Sequence, residues 1–206
     1  IGISFLDIST GEFLLTQGDT NYINKLLQSF SPKEVIFAKS KKNNFYQDFN
    51  FQLHNFLLDD WVFTYDYAID LLHQQFEVKS LKGFGVQDLT SGVVAAGAAL
   101  HYLNETKHNH TKHILNISRI DQDRYVWMDR FTIRNLEIFN SNTEGGSSLL
   151  DILDQTNSPM GARMLRKWLA LPIKDSNELN SRFNIVDQLI TKTDFSKQLE
   201  KHIKSI

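Results

Sequence analysis

Leu89, Val93, Ala96, Leu100 and Leu103 recur at intervals of three and four residues through the run Ala95-Ala96-Gly97-Ala98-Ala99. That spacing marks one face of an α-helix, and side chains this small let a second backbone approach closely. From Asp88 or Thr90 onward the chain is therefore expected to form a tightly packed helix, so it must also supply the surfaces that pack against it. Its 206 residues, 41% of them hydrophobic, suffice for one large domain or two ordinary ones, each with a real core.

Upstream of this helix the period is different. Ile1 to Ile8 and Glu12 to Thr16 are β-rich runs flanking Ser9-Thr10-Gly11, which reads as a hairpin. After Asp19-Thr20, the residues Tyr22, Ile23, Leu26, Leu27 and Phe30 give an amphipathic helix that Ser31-Pro32 ends, and Glu34 to Ala38 follows as a compact strand. Strand, helix and strand in that order suggest a crossover within one mixed sheet. Lys39 to Asn44 reads as a surface loop and Phe51 to Phe56 as a further strand. Tyr67 to Phe76 reads as a helix that buries Ala68, Leu71, Leu72 and Phe76 and leaves Asp70, His73 and Gln74 facing solvent. Gly83-Phe84-Gly85 resists both helix and strand, so Gly83 and Gly85 are expected to form a hinge between an α/β domain over residues 1–85 and a helical domain over residues 86–206.

The second half carries helix signals. Thr106 to Lys112 is a polar loop and Ile117 to Trp127 is expected to be extended. Asp129 stands at an N-cap position before Ile133, Leu136 and Phe139, which share a helix face. Asn142 to Ser148, with Gly145-Gly146, reads as a flexible link. Ser158-Pro159 is an N-cap followed by an N1 proline, opening a helix with Met160, Met164, Leu165, Trp168 and Leu169 on one stripe and Arg163, Arg166 and Lys167 on the other. Leu171-Pro172 stops it. Asp175 with Glu178 reads as a capping box for a helix through Leu179, Phe183, Val186 and Ile190.

Candidate chemistry is sparse. Asp7 ends a strand, where a two-metal nuclease would hold a carboxylate, but the other acids show no strand-end spacing to join it, so a structural hairpin aspartate is the preferred reading. His101, His108, His110 and His113 lie close together, but His108 and His110 alternate with Asn109, Thr111 and Lys112 in what reads as a loop with no carboxylate or thiolate at ligand spacing, which favours a solvated turn over a metal site. Gly92 and Gly97 outline a phosphate loop, but Ala98-Ala99 replaces its lysine and hydroxyl residue; Gly83-Phe84-Gly85 lacks the third glycine of a dinucleotide site. The arginines at 119, 124, 130, 134, 163 and 166 read as solvated or ion-paired, with no interleaved aromatics to stack bases. No catalytic, cofactor-binding or metal-binding residue is expected. A net charge of -2 argues against a broad basic surface for nucleic acid. The absence of cysteine excludes disulfides, thiolate nucleophiles and Cys-ligated zinc. No run of residues is apolar enough for a membrane span, and the opening Ile1-Gly-Ile-Ser lacks the order of a signal peptide and reads as the start of a strand inside a longer chain.

Leu6-Asp-Ile-Ser-Thr-Gly-Glu-Phe13, Leu81-Lys-Gly-Phe-Gly85, Ala95 to Leu103, Met128 to Phe139 and Asn157-Ser-Pro-Met-Gly-Ala-Arg163 stand in an order that resembles the MutS family of DNA mismatch-repair proteins. The resemblance runs over nearly the whole chain. It implies an RNase H-like, mixed-sheet connector domain without nuclease activity, followed by the first part of an all-α core domain. It implies a parent protein that recognises mismatched duplex DNA as a homodimer, is an ATPase using ATP and Mg, recruits a MutL-type partner and works in the bacterial cytoplasm at the nucleoid. Neither a Phe-x-Glu sequence nor a G-x-x-x-x-G-K-[ST] sequence occurs here, so by resemblance the mismatch-reading and ATPase domains are absent and this chain is not itself an enzyme. The connector docks MutL in that scheme, which makes Asp70, His73 and Gln74 the expected partner contacts. A recombination relative of the family, or an RNase H-like nuclease, are the alternatives.

Overall fold

The computed structural model describes residues 1–49, 54–106, 111–126, 128 and 130–205, without the side chains of Gln122 and Arg130. They form two compact units, Ile1–Ile120 and Asp121–Ile206.

The first unit mixes strands and helices. Strands β1 (Gly2–Asp7) and β2 (Glu12–Gln17) make the expected antiparallel hairpin, with Ile3 opposite Thr16 and Leu6 opposite Phe13. Its turn is held by Asp7, whose carboxylate accepts from the backbone N–H and hydroxyl of Ser9 and whose carbonyl accepts from Gly11, a residue at φ 72°. Helix α1 (Thr20–Phe30) starts at an Asp19 N-cap that accepts from Tyr22 N–H, and it ends at Ser31 in the left-handed region. Strand β3 (Glu34–Ala38) does not join the hairpin. It pairs in parallel with β4 (His54–Leu58), while β2 takes the two-residue β5 (Ser118–Arg119) on its other side, also in parallel. The single mixed sheet expected from the sequence is thus two small sheets. The polar run after β3 is not a loop but a 3-10 turn leading into helix α2 (Lys42–Asp48), anchored by Phe45, which stacks on Phe37 at 4.3 Å. Residues 50–53, the start of the expected strand from Phe51, lie outside the described residues.

Helices α3 (Tyr65–Phe76) and α4 (Thr90–Glu105) complete the unit. A Cβ on Gly92 would stand 2.9 Å from a Leu15 methyl and 3.0 Å from the Thr16 carbonyl; one on Gly97 would stand 2.4 Å from the Ala68 Cβ. The helix is therefore pressed against β2 on one face and α3 on another, and two of its buried glycines permit both approaches. Phe13, Leu15, Ala68, Leu72, Leu81, Val86, Leu89, Val93, Ala96, Leu100, Leu103, Ile114 and Ile117 form one buried cluster. This corrects the expected boundary at residue 85. Gly83 and Gly85 lie at a 3-10 turn (Leu81–Phe84) inside the first unit, and the apolar residues on both sides of the turn share that core.

In the second unit, residues 124–126 run against 172–174: Tyr125 bridges Ile173, Val126 N–H donates to the Pro172 carbonyl, and Lys174 N–H donates to that of Arg124. The expected extension over Ile117 to Trp127 is therefore only partial, being interrupted by a 3-10 turn at Gln122–Arg124. Helix α5 (Arg130–Asn135) stops short of Leu136, and Glu137 turns the chain at φ 49°. Its expected N-cap, Asp129, lies outside the described residues. The glycine-containing segment after it is bonded: Asn142 Nδ2 donates to the Arg134 carbonyl, and Asn142 N–H donates to the Glu137 carboxylate. Helices α6 (Leu149–Leu153), α7 (Pro159–Ala170), α8 (Ser176–Thr191) and α9 (Thr193–Ile203) follow, α9 starting without a side-chain cap. Ser158 caps α7 as expected, by accepting from Gly161 N–H. The full capping box is at Ser148 and Asp151, opening α6. Ile138, Ala170, Leu171 and Ile173 are buried, whereas Phe183, Ile185, Val186 and Ile190 of α8 and Phe195 of α9 are exposed, Ile190 by 70%.

Two outcomes follow from the position of α4. Gly97→Ala should cost about 1–3 kcal/mol, since overpacking forces α3 and α4 apart; chemical denaturation of the first unit measures it. A polypeptide of residues 1–120 should unfold cooperatively by circular dichroism, and one of residues 1–85, which lacks Val86, Leu89, Val93, Ala96, Leu100 and Leu103 of the core, should not.

Candidate functional site

Helix α3 begins after Thr64, with Asp66 in its first turn, and ends at Glu77 in the left-handed region. Ala68 and Leu72 are fully buried and Gln75 is tied down, its amide donating to the carbonyls of Thr111 and Ile114. What remains outward is a polar stripe of Asp66, Asp70, Gln74 and Glu77. Of the three residues expected to face solvent, Asp70 and Gln74 do; His73 is half-buried, because the helix also turns Tyr65 and Ile69 toward the core and so rotates His73 to the edge of the exposed face.

At the N-terminal end of the same helix, Tyr67 Oη lies 2.7 Å from His101 Nδ1, and His101 Nε2 lies 3.3 Å from the Glu105 carboxylate. Burial first, and the negative charge of Glu105 second, push the Tyr67 hydroxyl above the usual tyrosine range. Tyr102, next in sequence to His101, donates to both carboxylate oxygens of Glu34 and is raised likewise, by burial and then by that carboxylate. His101 is thus a buried member of α4, hydrogen-bonded to Tyr67. The i,i+4 spacing of His101 and Glu105 is readable along the expected helix, whereas Tyr67 lies on another helix and no spacing signals it. His113 bonds the Ile8 carbonyl, and His108 and His110 lie outside the described residues. Among the described residues no group of three or more His, Cys, Asp or Glu side chains converges as a metal site, and the Asp7 carboxylate is engaged in its own turn. The glycines that outlined an incomplete phosphate loop are interior to α4. A shallow cleft at Lys82, Gly85, Gln87 and Asp88 is open to solvent, and Gln87 and Asp88 are already engaged by Ser80 and Arg119.

In the second unit the acid at the third position of α8 does not close a capping box. Asp175 accepts from Glu178 N–H, but the Glu178 carboxylate turns away to Arg124 at 2.7 Å and Arg182 at 2.9 Å. Arg182 also covers the Trp168 ring, and Arg166 lies 4.3 Å over the centre of Phe139. Burial lowers the Arg166 guanidinium, whose Nε has no partner among the described residues. Arg166 of the α7 stripe is thus engaged on an aromatic face, and Arg124 and Arg182 share one carboxylate. Among the described residues no helix is long and apolar enough to cross a membrane.

These features define an α/β unit followed by a helical unit, in which many of the polar groups described serve caps, turns and ion pairs. Two family models match the sequence in order: MutS domain II over residues 1–115 and MutS domain III over residues 131–206. The chain belongs to the MutS family. It is 50% identical over 206 residues to the DNA mismatch repair protein MutS of Cytophaga hutchinsonii and to that of Flavobacterium johnsoniae, and 46% identical over 205 residues to that of Bacteroides fragilis. In each case all of this chain is covered and 24% of the relative, so it spans about a quarter of their length.

The Glu178 junction gives a pH dependence. Hydrogen bonding from Arg124 first, then its charge and the bond and charge of Arg182, hold the carboxyl below the usual glutamate range. A depressed folded value means that the stabilisation is present above the unfolded value, ~4.3 for a free glutamate, and is lost as pH falls through the folded one. The Glu178 carboxyl carbon should therefore titrate below its ordinary range by NMR, and Glu178→Gln should remove that part of the acid sensitivity of the second unit.

Proposed function

We propose that this chain is the connector domain and the first part of the core domain of a bacterial mismatch-repair protein. The observation that carries the reading is the pair of family matches, domain II then domain III, together with identity near 50% along the whole chain to proteins named for mismatch repair. The first unit is the connector, read as RNase H-like; the β-hairpin, the following helix and the parallel β3–β4 pair support that reading. The second unit is the opening of the helical core. The whole protein recognises mismatched duplex as a homodimer, couples this to ATP and Mg in a domain outside these 206 residues, and recruits a MutL-type protein, acting in the cytoplasm at the nucleoid. The segment itself holds framework and docking surface rather than catalytic groups.

Within it the outward stripe of α3 is the docking site, with Asp70 and Gln74 as direct contacts and His73 at the margin. Asp66, Asp70 and Glu77 give the stripe a negative sign, which suits a protein partner better than a phosphate backbone. Asp70→Lys with Gln74→Ala in the full-length protein should leave folding intact, since surface changes of this kind usually cost under ~0.5 kcal/mol, and should weaken capture of the MutL-type partner in surface plasmon resonance. Binding as tight as that of the unaltered protein would remove the docking assignment and leave the family untouched.

A further inference from the structure

Apart from the stripe on α3, the first unit presents an aromatic face. Trp61, in the 3-10 turn Asp60–Phe63, is 55% exposed, yet its ring is held edge-on at 5.0 Å from Tyr67 and 5.3 Å from His101. Those two rings are fixed in turn by the Tyr67–His101 hydrogen bond. Phe56, 40% exposed, lies 4.9 Å from Tyr102, which the Glu34 carboxylate fixes. His101 and Tyr102 are consecutive on α4, so both halves of the face are seated on one helical turn. A lone exposed apolar side chain asks for no explanation. A tryptophan already immobilised by neighbouring rings is different: binding on it forfeits little side-chain entropy, which is the property of an anchor residue.

Three carboxylates beside these rings have no lysine or arginine partner among the described residues. Glu34 accepts from Tyr102, Asp60 accepts from Ser40 and Glu105 lies 3.3 Å from His101 Nε2. Lys39 is taken by Asp59 at 2.5 Å. An aromatic surface rimmed by carboxylates repels phosphate and attracts cations, and a tryptophan ring is the best natural acceptor of a cation–π contact.

We propose that the Trp61 face is a docking surface for a basic segment of a partner protein, with a lysine or arginine side chain over the indole and the carboxylates of Asp60 and Glu105 beside it. This assignment goes beyond the α3 reading and does not depend on it.

The test uses the 206-residue chain with Trp127→Phe and Trp168→Phe, which leaves Trp61 as the sole indole. The probe is a short peptide alternating lysine or arginine with leucine; its glutamate-for-lysine counterpart and a short DNA duplex are the comparisons. A saturable change in Trp61 emission is expected with the basic peptide alone, weakening at least ~5-fold between low salt and ~0.3 M as the Debye length shortens. Asp60→Asn with Glu105→Gln keeps the acceptor for Ser40 and the size of both side chains, so it should preserve the circular dichroism spectrum while abolishing the response. By calorimetry on the unaltered background, Trp61→Leu should lower affinity for the same peptide. No emission change, a response that survives the charge-neutral variant, or an equal response to the acidic peptide or to duplex would overturn the proposal. Because no MutL-type protein enters these measurements, a failure here is distinct from a failure of α3 as its docking helix.

Discussion

Close contact between α4 and its two neighbours is the constraint on which the first unit rests. Gly97 lets Ala68 of α3 come within the distance a methyl would occupy, and Gly92 does the same for Leu15 and Thr16 of β2. Because α3 and the hairpin touch the same helix on different faces, the positions of the α3 stripe and of the ring system around His101 are both set by α4. A shift of one side chain at either glycine would move surfaces well removed from it, since packed interiors transmit displacement rather than absorb it.

Elements with local signals were legible in the sequence. The hairpin, α1, β3, α3, α4 and α7 each follow from a period bounded by a cap or a breaker, such as Asp19, Ser31-Pro32, Ser158-Pro159 or Leu171-Pro172. Partnership was not legible. The pattern of Glu34 to Ala38 states that a strand forms, but its pairing with β4 rather than with the hairpin is decided by surfaces far apart in the chain. The polar run after β3 concealed α2, because the residue that anchors it, Phe45, comes just after the run. Two glycines near residue 84 suggested a hinge, whereas they serve a turn within one core; local flexibility of the backbone does not mark a boundary when the apolar residues on both sides share a cluster. On α3, helical geometry gave the exposure of Asp70 and Gln74 but misjudged that of His73 by part of a turn. The Trp61, Tyr67 and His101 system was invisible, since nothing in the sequence joins residues so far apart.

The second unit shows the limit of periodicity from another side. Its helices carry the expected apolar stripes, yet Phe183, Val186 and Ile190 are open to solvent, while the polar interactions are well developed: the Ser148–Asp151 box, Asn142 on Arg134, and Glu178 between two arginines. An apolar face states that a helix is suited to burial and leaves open what buries it. The ion pairs set local geometry, while surface pairs of this kind contribute little stability.

The strand that closes the first sheet is its last element. Ile120 N–H donates to Leu15, and Thr16 donates its hydroxyl back to the Ile120 carbonyl, a pairing that spans 104 residues. On a ribosome adding ~5–20 residues per second, the outer edge of β2 therefore waits roughly 5–20 s for its partner. Throughout that interval the β1–β2 segment has neither its β5 partner nor, until α4 emerges, the core it packs on, and whenever the hairpin pairs it offers an unsatisfied strand edge, the kind of template on which nascent chains associate wrongly. Synthesis speed between residues 17 and 118 thus becomes a variable in the yield of this protein, and slow codons in that stretch would lengthen the hazard without altering a single residue.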